Sequence, residues 1–247
     1  MPEKEKKART NRSEYMEGFK GGLPIGLGYL SVSFAFGIMA IQKGIPPVAA
    51  ILISLTCLTS AGQVAGVETI AAMGGFTEIA VAQLIINLRY SLMSLSLSQK
   101  LCRNYSMLHR LTTSFGVTDE VFAVASARDG EVTPAYMYGL ITLPAIMWTA
   151  GTAAGALLGN VLPDIVTAAL GIAIYGMFIA IVIPPARRFR GVLVVALIAA
   201  AVSCVIKFVP VFSFITSGFS VIICTIIAAV IGALLFPRPV EDGEADD

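Results

Sequence analysis

Gln83-Leu84-Ile85-Ile86-Asn87-Leu88-Arg89-Tyr90 lies in the middle of an apolar run from Phe76 to Ser98. About 20 such residues are enough to cross a bilayer as a helix. A guanidinium at the centre of that run costs about 2.5–3.5 kcal/mol on insertion scales. Arg89 therefore needs a partner, a water-filled cavity or a substrate. On a helix, Gln83, Asn87, Ser91, Ser94 and Ser98 fall on one face, with Arg89 and Ser96 roughly opposite. Two polar faces predict a helix buried among others rather than facing lipid.

The rest of the chain has the same character. Of 247 residues, 56% are hydrophobic and 13% are charged, and the mean hydropathy is +0.82. Soluble domains carry about 25% charged residues. The fold class expected is all-α: a polytopic helical membrane protein with one transmembrane domain. The basic residues are scattered through short loops, which argues against a nucleic-acid partner. Cys57, Cys102, Cys204 and Cys224 have no metal or redox spacing. His109 is the single histidine, so no zinc or haem site and no cofactor is expected. No Ser/His/Asp set, GxSxG, P-loop or HExxH motif points to an enzyme.

Residues 1–17 read as a basic arm, retained rather than cleaved and cytoplasmic by the positive-inside rule. The transmembrane domain is expected over 18–236, and 237–247 is an acidic tail. The first span, Gly18–Gln42, has Gly18, Gly22 and Gly26 at helix-packing spacing. Pro24 within it predicts a kink or a short unwound turn. Val48–Met73 is interrupted by small and polar residues at 59–66, which predicts a broken or re-entrant helix. Leu111–Ala127 carries Thr118-Asp119-Glu120 at its centre, a second break near 115–121 or an interfacial helix. Arg128–Glu131 is expected outside the apolar core. Pro134–Gly159 has a second glycine ridge at Gly151, Gly155 and Gly159. Asp164–Ile183, Val192–Phe208 and Phe212–Phe236 complete about seven membrane segments, within a range of six to eight. If Val48–Met73 is re-entrant, Lys100, Arg103 and Arg110 share a side with Arg187, Arg188 and Arg190. If both interrupted runs cross, they do not.

Asp119 and Glu120 are the natural partners of Arg89. Either they handle a proton or a substrate ammonium under the control of Arg89, or the set is a static pair pinning two helices. The break at Gly62-Gln63 offers a half-helix N-terminus, whose dipole and free N–H groups favour an anionic substrate group.

Four stretches together resemble the AzlC family, the large subunits of two-component branched-chain amino acid permeases. They are Gly18–Tyr29, Ser60-Ala61-Gly62-Gln63, Asn87-Leu88-Arg89 and Thr118–Ala123. The similarity spans about residues 15–236. Gly62, Val64 and Tyr90 stand where the family often has Ser, Phe and His. The resemblance implies proton-driven export of valine, leucine, isoleucine and sometimes methionine. It also implies a small hydrophobic partner of the AzlD type.

Together these readings predict an exporter subunit in a bacterial inner membrane, with its N-terminus cytoplasmic. Gly62, Gln63, Gln83, Asn87 and Thr118 are the expected substrate-binding residues. Asp119 and Glu120 are the expected proton-coupling pair, organised by Arg89. The alternative is a channel-like or structural subunit whose buried charges only hold helices together.

Overall fold

The structure, a computed structural model, describes residues 10–159, 163, 165, 179, 182–183 and 186–236. The first helix, α1, runs Asn11–Gln42, with the Thr10 hydroxyl accepting the Ser13 N–H as its cap. Residues 11–17 of the basic arm are thus helical. The helix continues through Pro24 without an unwound turn. Next come α2 (Pro47–Thr56), α3 (Ser60–Ala71) and α4 (Phe76–Ser98). They are followed by α5 (Met107–Ser114), α6 (Asp119–Ala127) and α7 (Pro134–Leu158). Finally, α8 (Arg190–Phe208) and α9 (Ser217–Leu235) flank a 3-10 turn at Pro210–Phe212. Among the described residues, four helices are long and apolar enough to cross a membrane: α1, α4, α7 and α8. Most of the expected segment Asp164–Ile183 lies outside the described residues.

The core is the packing of α1 on α7. A Cβ at Gly18 would run into the Tyr136 carbonyl, at Gly22 into Leu140, and at Gly37 into Thr152 and Ala156. From the other side, Gly139 meets Tyr15, and Gly155 meets the Phe34 backbone. Only glycine permits this approach of two backbones. Both series of contacts ascend together, so α1 and α7 run parallel.

Both interrupted segments are re-entrant hairpins. Lys43, at the end of α1, pairs with Glu68 near the end of α3 at 3.0 Å. The pair α2–α3 therefore enters and leaves beside the C-terminal end of α1. At the other face, the Cys102 N–H donates to the Val132 carbonyl (3.0 Å) and the Val132 N–H to Lys100 (2.8 Å). Lys100 Nζ also donates to the Ser126 carbonyl. Hence α5–α6 enters and leaves beside the end of α4. Arg128 pairs there with Glu14, which fixes this face as the one that holds the start of α1. The offset that carries Thr59 onto Thr118 carries the whole first hairpin onto the second. Each is reached by a long helix, α1 or α4, and the two units insert from opposite faces. This is an inverted-topology repeat.

The first break falls at Cys57–Thr59, while Ser60–Gly66 is helical. The cause is Thr59, whose hydroxyl accepts the Gly62 N–H and starts a new helix ahead of the glycines. The second break spans Phe115–Thr118, as expected near 115–121. With both segments re-entrant, Lys100, Arg103 and Arg110 share a face with the start of α1. Gly191 packs on Phe236, and Gly232 on Val195, so α8 and α9 are antiparallel.

Two expectations need correction. Among the described residues, α4 is largely uncovered, with Leu84, Leu88, Leu92 and Leu95 all exposed. The polar stripes drew attention away from this leucine stripe at helical spacing. Arg128 is not outside the packed protein: its side chain is 6% exposed, held by Glu14 and stacked 4.0 Å from the centre of the Tyr136 ring.

Candidate functional site

The two hairpin tips meet α1, α4 and α7 at mid-depth. A cavity of about 310 Å³ lies there, lined by Pro24, Ile25, Val32, Leu58 and Trp148 on its apolar wall. Its polar rim holds Tyr29, Ser60, Tyr90, Thr118, Asp119 and Glu120. A smaller cavity of about 190 Å³ adjoins it, sharing Leu58, Tyr90 and Thr118 and reaching Cys57, Thr59 and Asn87.

The acidic pole comes from the second tip. Thr118 caps α6, its hydroxyl accepting the Val121 N–H. The cap leaves Asp119 and Glu120 in the first turn, where the helix dipole favours carboxylates. Asp119 Oδ2 lies 3.0 Å from Arg89 Nη2, an ion pair between α6 and α4. The guanidinium also donates to the Tyr90 hydroxyl at 3.2 Å and lies over that ring. Glu120 has a different neighbour. Its Oε2 is 2.5 Å from the Tyr29 hydroxyl, which is itself 2.7 Å from Thr118 Oγ1. One phenolic proton serves one acceptor. Tyr29 therefore donates to Glu120, and Thr118 donates to Tyr29.

The first tip is neutral. Its helix α3 has no acid in the first turn and starts, capped by the Thr59 hydroxyl, beside Ser60 on the cavity. Gln63 is 1% exposed and spends its amide inside the protein. Its Nε2 donates to Ser54 Oγ (2.8 Å), and its Oε1 accepts from Trp148 Nε1 (2.9 Å). Ser54 in turn shares a 2.7 Å hydrogen bond with Thr152. Gln63 thus welds α2, α3 and α7 and does not line the cavity. Gln83 donates to the Gly62 carbonyl at 2.7 Å and accepts from Asn87 Nδ2 at 3.1 Å. A Cβ at Gly62 would sit 2.5 Å from Gln83 Oε1, so this glycine is what admits the glutamine.

Of the residues singled out in the sequence, Thr118, Asp119 and Glu120 converge on the larger cavity. Asn87 lines the smaller one, with Gln83 and Gly62 behind it. Arg89 reaches Asp119 from α4. Sequence reasoning passed over Tyr29 and Trp148, whose rings meet edge to face at 5.1 Å. The signal for Trp148 was a lone indole N–H in mid-run, which needs an acceptor. Among the described residues, no group of His, Cys, Asp and Glu is placed to hold a metal ion.

The family model for the AzlC protein matches residues 24–162. The chain is 29% identical over 235 residues to the inner membrane protein YgaZ of Escherichia coli (strain K12), covering 92% of this chain and 94% of that one. It is 31% identical over 172 residues to an uncharacterized membrane protein of Archaeoglobus fulgidus, covering 69% of this chain and 75% of that one. A third membrane protein, from Helicobacter pylori, is 25% identical over 154 residues. No solved structure matches.

Proposed function

This chain belongs to the AzlC protein family, and from that premise we propose that it is the large subunit of a secondary transporter. Its cargo is branched-chain or similar small neutral amino acids, exported across a bacterial inner membrane with proton coupling and a small AzlD-type partner. The supporting observation is the mid-depth cavity between two inverted re-entrant tips, apolar on one wall and polar on the other. Transporters place substrate where discontinuous helices meet near the bilayer midplane.

The N-terminal end of α3 at Ser60, where no acid offsets the helix dipole, suits the substrate carboxylate, and the Asp119–Glu120 pole suits its ammonium. Thr118 and Asn87 complete the polar rim. Gly62, Gln63 and Gln83 hold the first tip in place for it. The apolar wall of Ile25, Val32, Leu58 and Trp148 takes the side chain, at about 0.8 kcal/mol per buried methylene. One methylene discriminates weakly, so several aliphatic amino acids are accepted. The exposed leucine stripe of α4 offers apolar surface to a small hydrophobic subunit.

The test is efflux of labelled valine from loaded cells that express the chain with its small partner. Saturable efflux competed by leucine and isoleucine is the expected result. Equal efflux with and without the chain would sink the proposal.

A further inference from the structure

Resting on the transport reading above, we infer that Glu120, and not its neighbour Asp119, is the carboxylate that takes up and releases the proton. Tyr29 is its positioning residue. The two side chains are adjacent in sequence but differ in compensation. Asp119 has a guanidinium at 3.0 Å, so its charge is already balanced. Among the described residues Glu120 has no cation. Its side chain is exposed and on the cavity, and its near neighbour is a phenol. Protonating Asp119 would strip the Arg89 guanidinium of its partner, whereas Glu120 can take a proton without breaking an ion pair. Two acids whose surroundings diverge this way take different roles. The titratable or charged groups around Glu120 are Tyr29 from α1, Arg89 and Tyr90 from α4, and Asp119 on its own helix. The first tip and α7 contribute only neutral groups to the cavity: Leu58, Ser60 and Trp148.

The step is a simple protonation. A proton from water on one side binds Glu120, turning the carboxylate into a carboxylic acid. The new O–H donates back to the Tyr29 oxygen. Tyr29 turns its own O–H towards Thr118 Oγ1, reversing that hydrogen bond. Thr118 is the cap of α6, so the reversal reaches the start of the second tip's inner helix. Release of the proton to the other side restores the original direction. No bond other than O–H forms or breaks.

Two measurements on the complete complex test this. In liposomes, valine–valine exchange at equal pH is compared with accumulation driven by a pH gradient. Glu120→Gln should weaken exchange, since the residue lies on the polar rim, but should leave a measurable rate at saturating valine. It should lose gradient-driven accumulation and flatten the pH profile. Tyr29→Phe should move the midpoint of that profile while exchange persists. Asp119→Asn should keep a sloped profile. A flat profile in Asp119→Asn, or undiminished gradient-driven accumulation in Glu120→Gln, overturns the assignment. The second measurement is the infrared C=O stretch of a protonated carboxyl between acidic and neutral buffer, which needs no substrate. Loss of that band in Glu120→Gln supports the proton site, and its persistence overturns it. If the parent moves no valine, the cargo is wrong, and the infrared result still decides the proton site.

Discussion

The two re-entrant hairpins have corresponding helices, a Thr cap at the same place, and opposite directions of entry. They differ in what holds them. The first has a neutral anchor near its tip, where Ser54, Gln63, Trp148 and Thr152 satisfy one another out of contact with solvent. The ion pair at its exit, Lys43 with Glu68, is at 41% and 34% side-chain exposure. The second reverses this. Its tip carries charge, and its exit is locked by Arg128 against Glu14, at 6% and 8% exposure. Thr133 adds a hydrogen bond to the same carboxylate. One fold unit, used twice, is rigid at the tip in one copy and rigid at the root in the other. On the proton site proposed above, that division would let the second tip respond to protonation without loosening its attachment, with the first tip as the opposing wall.

The sharpest way to break this comparison is at the roots. Arg128→Ala takes the guanidinium away from the buried Glu14 carboxylate, and removing one side of a buried pair costs about 3–5 kcal/mol. The expected outcome is a large drop in melting temperature of the detergent-purified protein and fast proteolysis at residues 128–133. A Glu14→Gln, Arg128→Met pair should recover more than half of the loss. Next is the first tip's anchor. Gln63→Leu orphans the Trp148 N–H, at about 1–3 kcal/mol for an unsatisfied group, and leaves Ser54 only its bond to Thr152. Unfolding in denaturant should show the loss, with tryptophan emission altered because Trp148 is the only reporter. The smallest effect belongs to Lys43→Ala, since exposed pairs contribute about 0–1 kcal/mol. A melting temperature that falls as far for Lys43→Ala as for Arg128→Ala would erase the asymmetry.

The breaks themselves were legible because clustered small and polar residues weaken a continuous helix in lipid and favour a cap or a turn. So was the meeting of Arg89 with an acid, since the charge at mid-membrane demanded one. The direction of each broken segment was not. Crossing and re-entry use the same residues locally, and the decision lies in Lys43 meeting Glu68 and Cys102 meeting Val132, pairs remote in sequence. Glu14 could not be told from its solvated neighbours in a charged N-terminal stretch, because its partner lies beyond the second hairpin. Tyr29 sits in a glycine-rich run where an aromatic reads as packing. Its hydroxyl becomes informative only beside Glu120, 91 residues away. The two buried partners of Gln63, Ser54 and Trp148, lie 9 and 85 residues away, so its sequence neighbourhood did not announce them.

The parallel embrace of α1 and α7 carries a consequence in time. Gly18 closes on Tyr136 and Leu140, yet a ribosome adding about 5–20 residues per second delivers α7 on the order of ten seconds after α1. During that wait the grooved side of α1 has no mate. It must be sheltered by lipid or by the insertion machinery while both hairpins are being made. The core of this protein is therefore the last part of its first seven helices to assemble. The hairpins are laid down before the walls that will confine them.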